Sequence, residues 1–279
     1  HKHAEAAWTE FRTASIVAKE LDALGYRVLA GADVVEANAM MGVPLPADLE
    51  RHFQRALAQG ADPAWAEKLR GGKTGVVAVM TFGRPGPTVA LRADMDANDL
   101  EEAMEEKHRP FRERFASVNA GAMHACAHDG HTAIGLGVAE VLAGLKDRLA
   151  GTIKLIFQPA EEGVRGAKAM VARGVVDDVK YIVGSHLGVS LRKTGQVACR
   201  TEGFLATTKL DAVFTGVPAH AGGCAANVAI DLAKQGVSVD VAGCLGHDPS
   251  ANIVTAEMKE NRVGCGQIVA AAGHPTSKT

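Results

Sequence analysis

The chain has 279 residues, with 30 Lys and Arg against 32 Asp and Glu for a formal charge of −2. That balance offers no basic surface to nucleic acid or an anionic membrane, and aromatic residues at 4% leave little for stacking on bases. The length suits one large domain or two modest ones and no apolar run approaches the ~20 residues of a membrane span, while five scattered cysteines argue for a reducing, cytoplasmic setting.

Along the chain, Val17, Leu21 and Leu24 follow helical spacing, and Gly25 supplies a left-handed stop. Residues 31–72 read as an inserted loop with a short helix from Leu49 to Leu57, broken by Pro44, Pro46 and Pro63. Strand-like runs follow at Gly75–Phe82 and Thr88–Met95; the Gly/Pro cluster at 83–87 predicts a hairpin between them. Beyond a polar stretch, a His-rich segment leads into a helix over Thr132–Leu145. Ile153–Phe157 and Tyr181–Gly184 suit buried strands, with a helix between them near 167–173. Further strands are expected at Gln196–Arg200 and Leu210–Phe214. Ala226, Ala229, Ile230 and Ala233 form a helical stripe that Gly236 ends; Val237, Val239 and Val241 then alternate as a strand, and a last helix fits 250–261. Strands alternating with helices predict an α/β sheet with parallel members.

The chemistry concentrates in His124-Ala-Cys-Ala-His-Asp-Gly-His131. Cys126 and His128 stand two apart, so on an extended backbone they point to the same side and can grip one metal ion. The cluster does not by itself say which metal. Glu161 and Glu162 follow the strand at 153–157, at the strand end where open α/β sheets build their sites. One carboxylate of such a pair can bind metal while the other takes a proton from attacking water and returns it to a leaving amine. His186 follows a second strand, and Asp94 and Asp96 close a third, where a carboxylate can orient a ligating imidazole. Several ligand types at separate strand ends are hard to explain as core packing.

Residues 1 to about 222 resemble the amidohydrolase branch of the aminoacylase/carboxypeptidase metallopeptidases. The resemblance rests on Glu10-Phe-Arg-Thr13, Arg92-Ala-Asp-Met-Asp-Ala97, the 124–133 segment, Ile156-Phe-Gln-Pro-Ala-Glu-Glu-Gly163, Val175-Val-Asp-Asp178 and Phe214-Thr-Gly…Ala219-His-Ala-Gly222. It implies a zinc-peptidase-like mixed sheet sandwiched by helices: an incomplete catalytic domain over 1–200, then the start of an α+β dimerisation (lid) domain over 201–221. It further implies two divalent ions, Mn²⁺ or Zn²⁺, held by Cys126, His128, Glu162 and His186. Glu161 would be the general acid/base, Asp94 the carboxylate behind the ligands, and His220 a lid residue that polarises the substrate carbonyl. The implied reaction is hydrolysis of the amide of an N-acyl or aroyl amino acid, p-aminobenzoyl-glutamate foremost, with a related second subunit or a second copy as partner and neither nucleic acid nor membrane. Ala127 stands where the family usually has Gly; a positive φ there would add strain of ~1–2 kcal/mol.

From residue 222 onward the chain resembles the N-terminal part of ribokinase-like sugar kinases, through Gly222-Gly-Cys-Ala-Ala-Asn227, Gly236 and Gly246. This implies a ribokinase-like βα tail over 222–279 in which Gly222, Gly223 and Asn227 help hold sugar hydroxyls. The 237–242 strand could join the first sheet or fold separately. Three functions are therefore open: a metal-dependent amidohydrolase, a sugar-kinase fragment whose sugar binding needs Asn227, and a non-catalytic fusion remnant.

Overall fold

The computed structural model describes residues 1–188, 191, 193–198 and 223–271. The chain divides into two compact units, His1–Asp211 and Ala212–Thr279.

In the first unit, helix α1 (Phe11–Ala23) buries Phe11, Ala14, Val17, Ala18 and Leu21 along one stripe, and Gly25 ends the turn after it at φ +83°. Strand β1 (Arg27–Ala30) follows. The segment expected to be mostly loop holds two helices. They are α2 (Pro46–Ala58) and α3 (Pro63–Lys68), the latter capped by Asp62, which accepts from the backbone N–H groups of Ala64 and Trp65. Then come β2 (Val76–Thr81), β3 (Thr88–Asp94), α4 (Arg109–Arg112), α5 (His128–Gly144), β4 (Thr152–Gln158), α6 (Gly166–Ala172) and β5 (Tyr181–Gly184).

The sheet runs β1-β2-β4-β3-β5, which corrects the predicted hairpin. β2 and β3 do not pair with each other; β4 lies between them, antiparallel to β2 (Val76 opposite Phe157) and parallel to β3 (Ala93 opposite Phe157). The reason is burial. Leu155, Ile156 and Phe157 are each at most 4% exposed and take the central position. The 83–87 turn is used instead to seat the start of β4, through Gly151 N–H to Arg84 O and Thr152 N–H to Pro87 O. A Cβ on Gly86 would stand 2.8 Å from the Gly151 nitrogen, so both approaching residues are glycine.

Alternation along the strands makes two cores. Val76, Ala78, Ala93, Leu155 and Phe157 pack with α1, α2 and α3 on one face; Val77, Val79, Ala90 and Ile156 pack with Trp8, Val34, Val35, Ala169 and Met170 on the other. β5 departs from expectation. It pairs with β3 at the sheet edge, and Tyr181, Ile182 and Val183 are more than half exposed.

The second unit contains α7 (Gly223–Lys234), β6 (Asp240–Gly246), α8 (Pro249–Glu260) and β7 (Gly264–Ala271). β6 pairs in parallel with β7 in a sheet of its own, over a core of Ala226, Ala229, Ile230, Val254, Met258 and Val263. The strand expected from Val237 begins only at Asp240. Gln196–Ala198 are not strand, and the rest of the strands expected at 196–200 and 210–214, with the 201–221 segment, lies outside the described residues.

Candidate metal centre

The parallel neighbours β3 and β4 end in register, Asp94 opposite Gln158, and β5 ends beside them at Gly184. The three segments that follow carry Asp96, Glu161–Glu162 and His186. The N-terminus of α5 brings His128 to the same place, and Cys126 precedes it. Parallel strands create this convergence because their carboxyl ends open on one side of the sheet.

Cys126 and His128 reach the centre by a different backbone from the extended one expected. Ala127 sits in the left-handed region (φ 63°, ψ 26°), and His128 is the first residue of α5. Cys126 Sγ lies 3.4 Å from His186 Nε2. His128 is fully buried, and its Nδ1–H donates to the Asp96 carbonyl at 2.8 Å with the Asp96 carboxylate at 3.3 Å. That bond fixes the tautomer and leaves the Nε2 lone pair facing Glu161 Oε2 at 3.8 Å, Glu162 Oε1 at 4.0 Å and Asp94 Oδ2 at 4.0 Å. Nε2 has no hydrogen-bond partner among the described residues. Asp94 Oδ2 makes none either; its other neighbour is His131 Nδ1 at 3.5 Å.

These distances fit an ion. Zinc ligands stand about 2.0–2.3 Å from the metal, so two donors sharing one are at most about 4.6 Å apart. Close to that limit, three groups of donors among the described residues have ligand atoms all within 4.8 Å of one another: Cys126–His128–His186, Asp94–His128–His131, and His128–Glu161–Glu162. The electrostatics agree. Burial, then the Glu162, Glu161 and Asp94 carboxylates, push the Cys126 thiol up to about 11. Burial also raises Asp94 to about 6 against the pull of Arg92, to which it is ion-paired. Donor atoms crowded this closely suit a shared cation.

The surroundings hold the donors in place. Glu162 N–H donates to Asp96 Oδ2 at 2.9 Å, so Asp96 ties His128 to the glutamate loop. Glu10, wholly buried, accepts from Ala160 N–H at 2.8 Å and from the Thr74 hydroxyl at 2.5 Å. Burial and the nearby Asp96 raise its pKa to about 8. His131 Nε2 accepts from Leu187 N–H at 2.9 Å and anchors the segment after β5.

The structure thus brings together Asp94, Cys126, His128, Glu161, Glu162 and His186. The imidazole-orienting bond comes from Asp96, while Asp94 faces the donors themselves. Sequence reasoning assigned nothing to Glu10 or His131 individually; a short motif around one and a His-rich run around the other were the only signals. His220 and Gly222 lie outside the described residues. Gly223 opens α7, and Asn227 is exposed on it.

A model of the peptidase family M20/M25/M40 matches residues 90–274. The chain belongs to this family. It is 59% identical over 223 residues to indole-3-acetyl-aspartic acid hydrolase of Enterobacter agglomerans, covering 80% of this chain and 51% of the relative. It is 55% identical over 222 residues to a p-aminobenzoyl-glutamate hydrolase subunit of Escherichia coli, again 80% and 51%. The chain spans about half the length of these curated relatives. Among solved structures, an aminobenzoyl-glutamate utilization protein from Klebsiella pneumoniae superposes with a TM-score of 0.56 at 48% identity, over 68% of this chain and 41% of that one. The M20 match runs across α7, β6, α8 and β7 to residue 274, the stretch given above a sugar-kinase resemblance, and the comparisons lend that resemblance no support. Among the described residues no helix is long and apolar enough to cross a membrane.

Proposed function

We propose that this M20 chain carries the catalytic centre of a metal-dependent amidohydrolase that cleaves the amide of an N-acyl or N-aroyl amino acid, with p-aminobenzoyl-glutamate as substrate. The observation that carries the reading is the buried His128 Nε2, oriented by Asp96 and facing carboxylates at 3.8–4.0 Å with no partner of its own among the described residues. Cys126, His128, Glu162 and His186 would hold two divalent ions. Thiolate and imidazole suit Zn²⁺, and the carboxylates also admit Mn²⁺. When bound, the ions supply Lewis acidity, which polarises a carbonyl and acidifies water.

The chain's own residues do the rest. Glu161 Oε2 is close to the His128 ligand atom and its side chain is about one-third exposed, so it reaches both the centre and incoming substrate. It takes the proton of the attacking water and passes it to the amide nitrogen as the bond breaks, leaving carboxylic acid and amino acid. Asp96 keeps the His128 lone pair directed, and Glu10 holds the loop that presents Glu161 and Glu162. From the family resemblance, His220 would polarise the substrate carbonyl, and residues 1–200 and 201–221 would be catalytic and lid portions. The Escherichia coli relative is one subunit of its hydrolase, which supports a second, related chain as partner; another copy of this chain is the alternative.

The test is glutamate release from p-aminobenzoyl-glutamate by the purified chain with added Mn²⁺ or Zn²⁺, compared with Glu161→Gln. Loss of general acid–base catalysis is expected to cost on the order of 10²–10⁴ in kcat with metal content unchanged. Equal turnover by wild type and variant would refute the assignment.

A further inference from the structure

Of the run His128-Asp-Gly-His131, the proposed function uses only His128. Gly130 and His131 lie on the first turn of α5, against the segment that follows β5. That segment carries His186, which is exposed, whereas the other three proposed ligands are buried or half-buried. Tyr181, Ile182 and Val183 before it are more than half exposed as well. A ligand on an open sheet edge needs something outside its own strand to hold it.

Two such holds act on Leu187. His131 is 4% exposed, and its Nε2 accepts from Leu187 N–H at 2.9 Å. Gly130 leaves room for the Leu187 side chain: a Cβ there would stand 2.6 Å from Leu187 Cδ1. Leu187 in turn orients His186, whose Nδ1–H donates to the Leu187 carbonyl at 2.8 Å. That bond puts the proton on Nδ1 and turns the Nε2 lone pair towards Cys126 Sγ, 3.4 Å away. The rings meet as well, His131 against His186 edge to face with centroids 4.4 Å apart. Because Nε2 of His131 is an acceptor, its own proton is on Nδ1, facing Asp94 Oδ2 at 3.5 Å.

We propose that His131 is a positioning residue: through Leu187 it fixes the tautomer and direction of His186, as Asp96 does for His128, and Gly130 admits the Leu187 side chain that completes the hold. The role of His186 as a ligand rests on the metal-dependent function proposed above; the hold on its tautomer does not. Two amides separate the two ends of the His131 ring. In Gln, Oε1 reaches the place of Nε2 and can accept from Leu187 N–H; in Asn, the amide replaces only Nδ1, beside Asp94.

Long-range proton–nitrogen NMR spectra of the metal-free full chain, labelled at histidine and held at about pH 8 where imidazoles are neutral, report the tautomer directly. The His186 signals are assigned by their loss in His186→Ala. The parent and His131→Gln are expected to show the Nδ1–H form of His186, and His131→Asn a mixture of both forms. Gly130→Ala, which pushes on Leu187 instead, is expected to give the same mixture and serves as the second variant should His131→Asn fold poorly by circular dichroism. A His186 tautomer unchanged in whichever of these two variants folds overturns the proposal.

Zinc affinity against a competing chelator reads the consequence. His131→Asn is expected to weaken binding about 10–100-fold, and His131→Gln to restore most of that loss. In a His186→Ala background, where its target is gone, His131→Asn is expected to change nothing further. Equal losses in the Asn and Gln variants would make His131 a ligand through its imidazole, and an undiminished loss in the His186→Ala background would place its effect elsewhere; either result overturns the proposal. If the tautomers behave as expected but the parent binds no zinc, the metal-dependent reading fails and the hold on His186 stands.

Discussion

Ala127 gives the sharpest stability prediction. Its φ of 63° and ψ of 26° place an L-residue in the left-handed region at the N-cap of α5, between two donors of the candidate centre. A Cβ in that region costs roughly 1–2 kcal/mol, and glycine has none to clash. Against this, glycine lowers stability by about 0.4–1 kcal/mol through the greater freedom of the unfolded chain. Ala is also a poor N-cap residue compared with Gly. The net expectation for Ala127→Gly is stabilisation of about 1 kcal/mol, or roughly 2–4 °C in Tm for a unit of this size. Urea unfolding followed by tryptophan fluorescence reports the right unit, because both tryptophans, Trp8 and Trp65, belong to it. The β-branched Ala127→Val should be less stable than wild type, since its bulk suits positive φ least. A Gly variant no more stable than the parent, or a Val variant equal to it, would refute the strain argument.

Three further outcomes follow from neighbouring contacts. Asp96→Ala removes the carboxylate beside His128 Nδ1 and the acceptor of Glu162 N–H; metal affinity measured against a competing chelator should fall about 10–100-fold. Glu10 holds its proton in the folded state up to about pH 8, whereas the unfolded group releases it near its ordinary 4.5, so stability falls as pH rises between those values. In the metal-free chain, the stability of Glu10→Gln relative to wild type should rise by on the order of 3 kcal/mol from pH 5 to pH 8; parallel pH–stability curves would contradict this. Tyr26→Phe deletes the buried hydroxyl that donates to the Ala139 carbonyl at 2.9 Å, and chemical denaturation should show a loss of about 1 kcal/mol.

Much of the site was legible because its residue types are improbable in a core. Glu161, Glu162 and His186 stand just beyond strand-like runs, Cys126 and His128 stand in a His-rich run that leads into a helix, and the structure brings them together. What local pattern could not show was sheet order. The 83–87 turn chemistry is that of a hairpin, but β4, with the large buried side chains Leu155, Ile156 and Phe157, pairs between the two strands, a long-range effect. The same limit hid the exposure of β5: Tyr181–Val183 reads as a buried strand, yet an edge position leaves it open. The left-handed Ala127 was not predicted: the family's usual glycine raised positive φ only as a condition, and the Cys126–His128 spacing was read on an extended chain. Asp94 and Asp96 alternate on one strand end, and only coordinates could say which of them bonds His128. Helix α3 and strand β7 were missed because α3 has only six residues, too few for a clear period, and Gly264-Cys-Gly-Gln lacks branched residues.

The most direct test of the account is metal stoichiometry. The metal-free chain, dialysed against Zn²⁺ or Mn²⁺ and measured by mass spectrometry of the elements, is predicted to take up as many as two ions per chain. A Cys126→Ala, His128→Ala double variant with an unchanged circular dichroism spectrum is predicted to take up none specifically. Uptake by the folded double variant equal to that of the parent would contradict a metal centre at this position.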